Sequence, residues 1–422
     1  MKAVILAAGL GTRLRSKVPK PLVKVAGREI IYRTMRTLSK HVDEFIIVVN
    51  AENKNKIEKF LENLSEKFRY KIVLNPYPPE KGNGYSLYVT RDFVSDKFIL
   101  VMGDHVFDDN FVDEAIKGCG LVVDKLGLFI NKDEATKVRV KNGKIEEIGK
   151  NLKNFDFFDT GFFILNKSIF KVADELIRKN NKVEISDIAK KAKLKVYEVS
   201  GHFWMDIDTK DDLKIARKHI VRKSIKKYGD GFIARYINRK ISTRISELLV
   251  DYVSPNKMTV ISTLVGILSS FLIYFNVKLA SILYQFSSIL DGCDGEIARA
   301  SLNESKIGGY IDSVLDRYVD FLFLSFLALT IPLDLQTLIA VFFAIFGSFM
   351  ISYSTERYKA AFFDDIYKKV KIMRYLPGKR DERIFVIMVF CLLGFIRELI
   401  FILAIWTNVR VILTVSIAKM KS

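Results

Sequence analysis

Two spacings of acidic residues define the chemistry this chain could do. Asp291 and Asp294 stand three apart in DGCDGEIAR, and Asp312 and Asp316 stand four apart in GGYIDSVLDR. On helices each pair shares a face, and the short turn around 303–306 makes the two helices antiparallel neighbours. Four carboxylates therefore converge. Unpaired they would repel one another, so the arrangement makes sense with divalent cations among them, and carboxylate oxygens suit hard ions such as Mg2+, Mn2+ or Ca2+. Gly295 and Gly308 have no side chain and leave room for a nucleotide along the helices, while Arg299 can neutralise phosphate. Such a group, with cations bound, can hold and neutralise the phosphates of a nucleotide. A purely structural cluster of these aspartates with Arg299 and Arg317 would leave surplus negative charge buried.

A second candidate lies near the N-terminus, in LAAGLGTRLRSKVPKPL. Gly9 and Gly11 let the backbone wrap a triphosphate, and Arg13 and Lys20 can neutralise it.

The elements that must position these groups follow from periodicity. Short apolar runs (AVILAA, EFIIVV, KIVL, FILVMGD) alternate with helical stretches at 30–38 and 53–68, which predicts a parallel sheet with covering helices. The stretch 137–148 predicts an antiparallel hairpin turned by Asn142-Gly143. The α/β pattern ends near HFWMDIDTKDDLKIARKHI, and 228–250 predicts an amphipathic basic helix of the kind that lies in a membrane interface. Six spans follow, at 258–275, 279–302, 307–329, 335–353, 384–396 and 399–417. Their apolar runs, such as MTVISTLVGILSSFLIYF, have no charged face, unlike helices of a soluble bundle.

Charge sets the topology. With the N-terminal part cytosolic, Lys306, the basic cluster from Arg357 to Arg383, Lys419 and Lys421 all fall inside, and Lys278 and Arg397 fall outside. The net charge of +19 thus reads as a membrane-surface feature, without a nucleic-acid partner. The three cysteines are far apart, which argues against a disulfide framework or zinc site and for a reducing cytoplasm. The N-terminus lacks the regions of a signal peptide.

The string D-x2-D-G-x2-A-R-x8-G-x3-D-x3-D is met by Asp291, Asp294, Gly295, Ala298, Arg299, Gly308, Asp312 and Asp316. It resembles the signature of the CDP-alcohol phosphotransferases, membrane enzymes that pass a phosphoryl-alcohol from CDP to an acceptor hydroxyl. The resemblance implies metal ligation by Asp291, Asp294 and Asp312, with Asp316 as metal neighbour and general base. Gly295, Ala298 and Arg299 would cradle the CDP moiety. Arg357, Arg380 and Arg383 match, in position, arginines that hold an acceptor phosphate in related members; gripping lipid headgroups is the alternative for them. A homodimer through the membrane helices is also implied.

The N-terminal string, with Pro19-Lys20-Pro21, resembles the sugar-phosphate nucleotidyltransferases over about 215 residues. This implies a Rossmann-like domain in which Leu6, Ala7, Ala8, Gly9, Gly11, Thr12, Arg13 and Lys20 hold the nucleotide, with Arg13 and Lys20 catalytic. Lys81, Asn83 and Ser86 in KGNGYSL would read the cytosine edge. Asp104 in VMGDHVF, with Asp206 and Asp208 in WMDIDTKDDL, would hold Mg2+. Asp159 would meet a substrate hydroxyl and Lys150 its phosphate.

The fusion resembles bifunctional enzymes that make a compatible solute. On that resemblance CTP and inositol 1-phosphate give CDP-inositol and pyrophosphate, and CDP-inositol with a second inositol 1-phosphate then gives the condensed product and CMP. The expected organisation is a cytosolic α/β nucleotidyltransferase domain at 1–225, an interfacial helix at 226–252 and an all-α polytopic domain at 253–422. Both active sites and both termini would face the cytoplasm of a multi-pass cell-membrane protein. Two alternatives remain: activation of another polyol phosphate with transfer to a lipid acceptor, which needs an apolar groove beside Asp316, and a non-catalytic nucleotide-sensing membrane protein.

Overall fold

The apolar runs of the first half form strands that alternate their side chains between two cores. The computed structural model describes all residues except 10, 12, 13, 15, 78, 79, 227, 228 and 422 and the side chains of 420 and 421. The chain divides into two units, Met1–Arg217 and Lys218–Ser422.

In the first unit the strands are β1 (Lys2–Leu6), β2 (Lys24–Val25), β3 (Arg28–Glu29), β4 (Glu44–Val49), β5 (Tyr70–Leu74), β6 (Lys97–Met102), β7 (His105–Phe107), β8 (Gly120–Asp124), β9 (Lys137–Lys141), β10 (Lys144–Gly149), β11 (Phe157–Asn166), β12 (Val196–Glu198) and β13 (Trp204–Asp206). The main sheet runs β10-β9-β11-β6-β1-β4-β5, with β8 on β11 and β12 on β8. Strands β6, β1, β4 and β5 are parallel, and β11 is antiparallel to β6. The sheet is therefore mixed: the expected parallel strands form its centre, the expected hairpin lies at one edge, and the antiparallel β11 that joins them was not foreseen. Parallel pairing needs a long crossover, whereas β9 and β10 are joined by a two-residue turn at Asn142 and Gly143, both at positive φ.

Alternation along β1 decides which core each residue joins. Ala3 and Ile5 pack on one face with Ile47, Val101 and Phe111, and Val4 and Leu6 pack on the other with Ile46, Val48 and Leu100. The helices covering these faces are α1 (Ile30–Leu38), α2 (Ala51–Glu62), α3 (Asn83–Tyr88), α4 (Asp109–Ala115), α5 (Ile169–Lys179) and α6 (Ile185–Lys191), and α7 (Lys210–Lys223) follows β13.

The second unit takes in the end of α7 and then a π-helical stretch, Ala234–Asn238, running into α8 (Arg239–Leu249). The helical run begins at Phe232, and Tyr228, where the sequence placed its start, lies outside the described residues. Phe232, Tyr236, Ile241 and Leu248 are exposed, while Ser242, Thr243 and Ser246 are buried. This inverts the usual soluble pattern, with the apolar face outward and the polar face packed inward.

The long helices are α9 (Pro255–Leu272), α10 (Val277–Ala300), α11 (Lys306–Ala328) and α12 (Leu335–Phe362); short α13 (Ile366–Lys369) precedes α14 (Arg380–Leu393) and α15 (Ile396–Lys421). Among the described residues, Leu335–Phe362 and Ile396–Lys419 are long and apolar enough to cross a membrane. Helices α10 and α11 carry the carboxylates of the site, and α14 has 14 residues. Outward faces are strongly apolar: Leu264 and Leu268 on α9, Phe342, Phe343 and Phe346 on α12, and Ile405 and Ile412 on α15 are all exposed. That is far more apolar surface than a soluble monomer shows.

Candidate active sites

In the first unit the site forms where β1 and β6 end side by side. Gly103 donates to the Leu6 carbonyl at 2.9 Å. A Cβ at Gly103 would lie 2.6 Å from that oxygen, so the approach needs glycine. Beyond it, Pro19 leads into a 3-10 turn (Lys20–Leu22) that aims the Lys20 ammonium inward. Its Nζ donates to Asp104 at 2.7 Å and to Asp208 at 2.5 Å. Gly11 has φ +63, and a Cβ there would meet the Lys20 side chain at 2.8 Å. Gly11 thus lies against the lysine that would neutralise a phosphate.

Asp104 also contacts His105 Nδ1 at 2.8 Å. Burial alone would raise the Asp104 pKa, but His105 and Lys20 hold the carboxyl well below the usual range. Burial works against protonation of Lys20 and His105; in both the neighbouring aspartates prevail and the pKa rises. Asp206 pairs in register with His105 across β13 and β7, and burial raises its pKa. Asp159, also within the field of His105, is pushed up by burial to about 6.

Lys20, Asp104 and Asp208 therefore meet, with Asp206 and Asp159 alongside. Leu6, Ala7 and Ala8 are buried and Gly9 is exposed. Thr12 and Arg13 lie outside the described residues. The Asn83 side chain accepts from the Ile185 amide at 2.7 Å and so caps α6. Ser86 is buried and accepts from Asn75 at 2.8 Å. Lys81 is half-buried, and Lys150 is exposed with its carbonyl taken by Lys137. His105 is the participant that sequence reasoning passed over, although it directly follows Asp104.

In the second unit, Asp291 and Asp294 on α10 meet Asp312 on α11, with one ligand oxygen from each lying within 4.8 Å of the others. Three hard oxygen donors on two helices fit a divalent cation. Thr259 on α9 donates to Asp294 at 2.6 Å and fixes one carboxylate. Asp316, one turn beyond Asp312, lies outside that trio and is 2.9 Å from Arg380 Nη1. The same Nη1 is 3.2 Å from Asp291.

Two cavities flank Asp291. One, of about 360 Å3, is lined by Asp291, Asp294, Gly295, Ala298, Arg299, Gly308 and Asp312, which gathers the matched motif around one space. The other, of about 240 Å3, is lined by Arg239, Asp291, Lys379, Arg380 and Arg383. Arg357 lines neither. The fourth long helix continues to Phe362, so Arg357 stays within it as an exposed residue.

Glu296 was given no role on sequence grounds, yet its side chain is fully buried. It accepts from Arg239 at 2.8 Å, Ser242 at 2.8 Å and Ser246 at 2.7 Å, tying α8 to the helix that carries Asp291 and Asp294. Glu296→Gln should cost about 3 kcal/mol, because it leaves buried donors of α8 and part of Arg239 unpaired. Thermal unfolding of the detergent-solubilised chain should show a midpoint several degrees lower.

Residues 3–122 match the family described as MobA-like NTP transferase domain, and residues 252–418 match the family described as CDP-alcohol phosphatidyltransferase. The chain is 51% identical over 417 residues to the bifunctional IPC transferase and DIPP synthase of Aquifex aeolicus, covering 98% of this chain and 97% of that protein. To the protein of the same name from Archaeoglobus fulgidus it is 55% identical over 394 residues, covering 93% of this chain and 79% of that one. Among solved structures, the inositol-1-phosphate CTP transferase from T. maritima is 29% identical, with 51% of this chain and 94% of that chain covered and a TM-score of 0.46.

Proposed function

The chain belongs to the family of bifunctional IPC transferases and DIPP synthases, and from that premise we propose how its two sites divide the work. It is a bifunctional nucleotidyltransferase and CDP-alcohol phosphotransferase. The first reaction joins CTP and inositol 1-phosphate to give CDP-inositol and pyrophosphate. The second joins CDP-inositol to another inositol 1-phosphate and releases CMP. The observation that carries this reading is one chain holding both a lysine pinned between two aspartates behind a glycine loop and an aspartate trio facing a cavity lined by the phosphotransferase signature.

Mg2+ or Mn2+ held by Asp291, Asp294 and Asp312, and by Asp104 with Asp206 or Asp208, would supply neutralisation of phosphate charge. In the first unit Lys20, with Arg13, pairs with the triphosphate; Asp159 and Lys150 receive the polyol phosphate, and its oxygen attacks the α-phosphorus in line. Lys81, Asn83 and Ser86 flank the base. In the second unit Gly295, Ala298 and Arg299 hold the CDP moiety, and Arg380 and Arg383 hold the acceptor phosphate through guanidinium charge and N–H groups. Asp316, beside the trio, accepts the proton of the attacking hydroxyl as the bond from phosphorus to CMP breaks.

The wider assignment has a cytosolic domain at 1–225, an interfacial segment at 226–252 and a six-span membrane domain at 253–422, with both sites on the cytoplasmic side and pairing of two copies through the membrane helices. The outward apolar faces and the placement of basic residues support it.

One observation favours a second reading of the transfer step. An apolar groove of about 640 Å3 is lined by Val314, Arg317, Tyr318, Phe321, Phe349 and Tyr353; it takes in the residue next in sequence to Asp316 but not Asp316 itself, beside which a lipid acceptor would need to lie. Incubating the full chain with CTP, Mg2+ and inositol 1-phosphate labelled in its ring separates the readings. Label passing through CDP-inositol to a water-soluble product, with release of CMP, supports the first reading; label in a solvent-extractable product formed only with added lipid supports the second. Neither product refutes both.

A further inference from the structure

The matched signature ends at Asp316, but the acidic stripe does not. Asp320 stands one more turn along α11 and is buried, and an ionisable group kept at that depth is costly unless it has work to do. Tyr284 on α10 donates its hydroxyl to Asp320 Oδ1 at 2.7 Å. The tyrosine ring is itself fixed, stacked on Phe323 with centroids 4.0 Å apart. Arg380 on α14 donates Nε to Asp320 at 3.0 Å, and Arg383 Nη2 lies 3.7 Å away. Asp320 thus joins three helices but lines neither polar cavity.

The division of labour on Arg380 shows what this achieves. Its Nη1 lies between Asp316 at 2.9 Å and Asp291 at 3.2 Å, and its side chain lines the cavity that also holds Arg383 and Lys379. A guanidinium held through Nη1 alone could rotate about its long stem. Held at Nε as well, it has a fixed plane, and a fixed plane sets the direction in which its Nη2 group meets a phosphate oxygen.

We propose that Asp320, braced by Tyr284, is a positioning residue that sets the plane of the Arg380 guanidinium for the acceptor's phosphate group. The inference rests on the assignment of Arg380 to that phosphate. The rival role, a counter-charge needed only to bury Arg380 and Arg383, would affect donor and acceptor alike.

Steady-state kinetics of CMP release from supplied CDP-inositol decides between them, using the full-length chain and varying inositol 1-phosphate. Asp320→Asn should raise KM for inositol 1-phosphate at least about tenfold, the loss expected for one charge-assisted hydrogen bond, with KM for CDP-inositol unchanged. Tyr284→Phe keeps the charge and should raise the same constant by a smaller factor, so it carries the test if the first variant does not accumulate. Asp320→Glu should recover part of the loss. An unchanged acceptor KM in these variants, or a parallel rise in both constants, overturns the proposal. Arg380→Lys separates the two layers: a raised acceptor KM there with none in Asp320→Asn refutes the positioning role alone, and no change in Arg380→Lys refutes the phosphate assignment beneath it.

Discussion

Asp316→Asn should reduce CMP release from CDP-inositol by about 10^2-fold to 10^4-fold, the usual contribution of a positioned general base, while CDP-inositol formation from CTP continues at its normal rate. The amide has the shape of the carboxyl and can still accept a hydrogen bond from Arg380 Nη1, 2.9 Å away in the native structure, so packing between α11 and α14 should survive. What it cannot do is take a proton. Quantifying CMP and CDP-inositol in the same reaction mixture checks this directly, and an equal loss of both products would argue against two separate sites.

Lys20→Ala, or Asp104→Ala, should do the reverse. Lys20 sits with Asp104 at 2.7 Å and Asp208 at 2.5 Å, so its removal leaves carboxylates facing an incoming triphosphate. Loss of a preorganised charge of this kind costs about 10^2-fold to 10^3-fold in rate. Asp104→Ala removes one of the two carboxylates that hold Lys20 and the one beside His105 Nδ1 and should cost at least as much. Pyrophosphate release from CTP and inositol 1-phosphate should collapse in both variants, and CMP release from supplied CDP-inositol should persist. Loss of both activities would instead mean that transfer in the second unit requires an intact first unit.

What the sequence made legible is what local spacing encodes. Three- and four-residue intervals on helices translate directly into a shared face, so the meeting of Asp291, Asp294 and Asp312 could be read in advance. The hairpin at Asn142-Gly143 was likewise written in its turn residues. Contacts between distant segments were not legible in that way. Arg380 lies 89 positions from Asp291 and yet enters its cluster, and Glu296 finds its partners on α8 50 to 57 residues earlier. Nothing in their local periodicity announces these partners. Asn83 and Ser86, assigned to the base from their string, also hold Ile185 and Asn75, contacts that the string did not announce. The antiparallel β11 was not foreseen because apolar runs report burial and not strand direction.

In the proposed assignment the carboxylates of α10 and α11 hold a divalent cation at the place where CDP-inositol is cleaved. Its most direct test is CMP release from supplied CDP-inositol by the chelator-treated full-length chain as Mg2+ is restored, with Mn2+ binding to the same preparations followed by electron paramagnetic resonance. We predict no release without cation, saturable recovery with Mg2+, and fewer bound Mn2+ ions in a variant carrying Asp291→Asn, Asp294→Asn and Asp312→Asn. Undiminished release in chelator, or equal Mn2+ binding by variant and native chains, would contradict it.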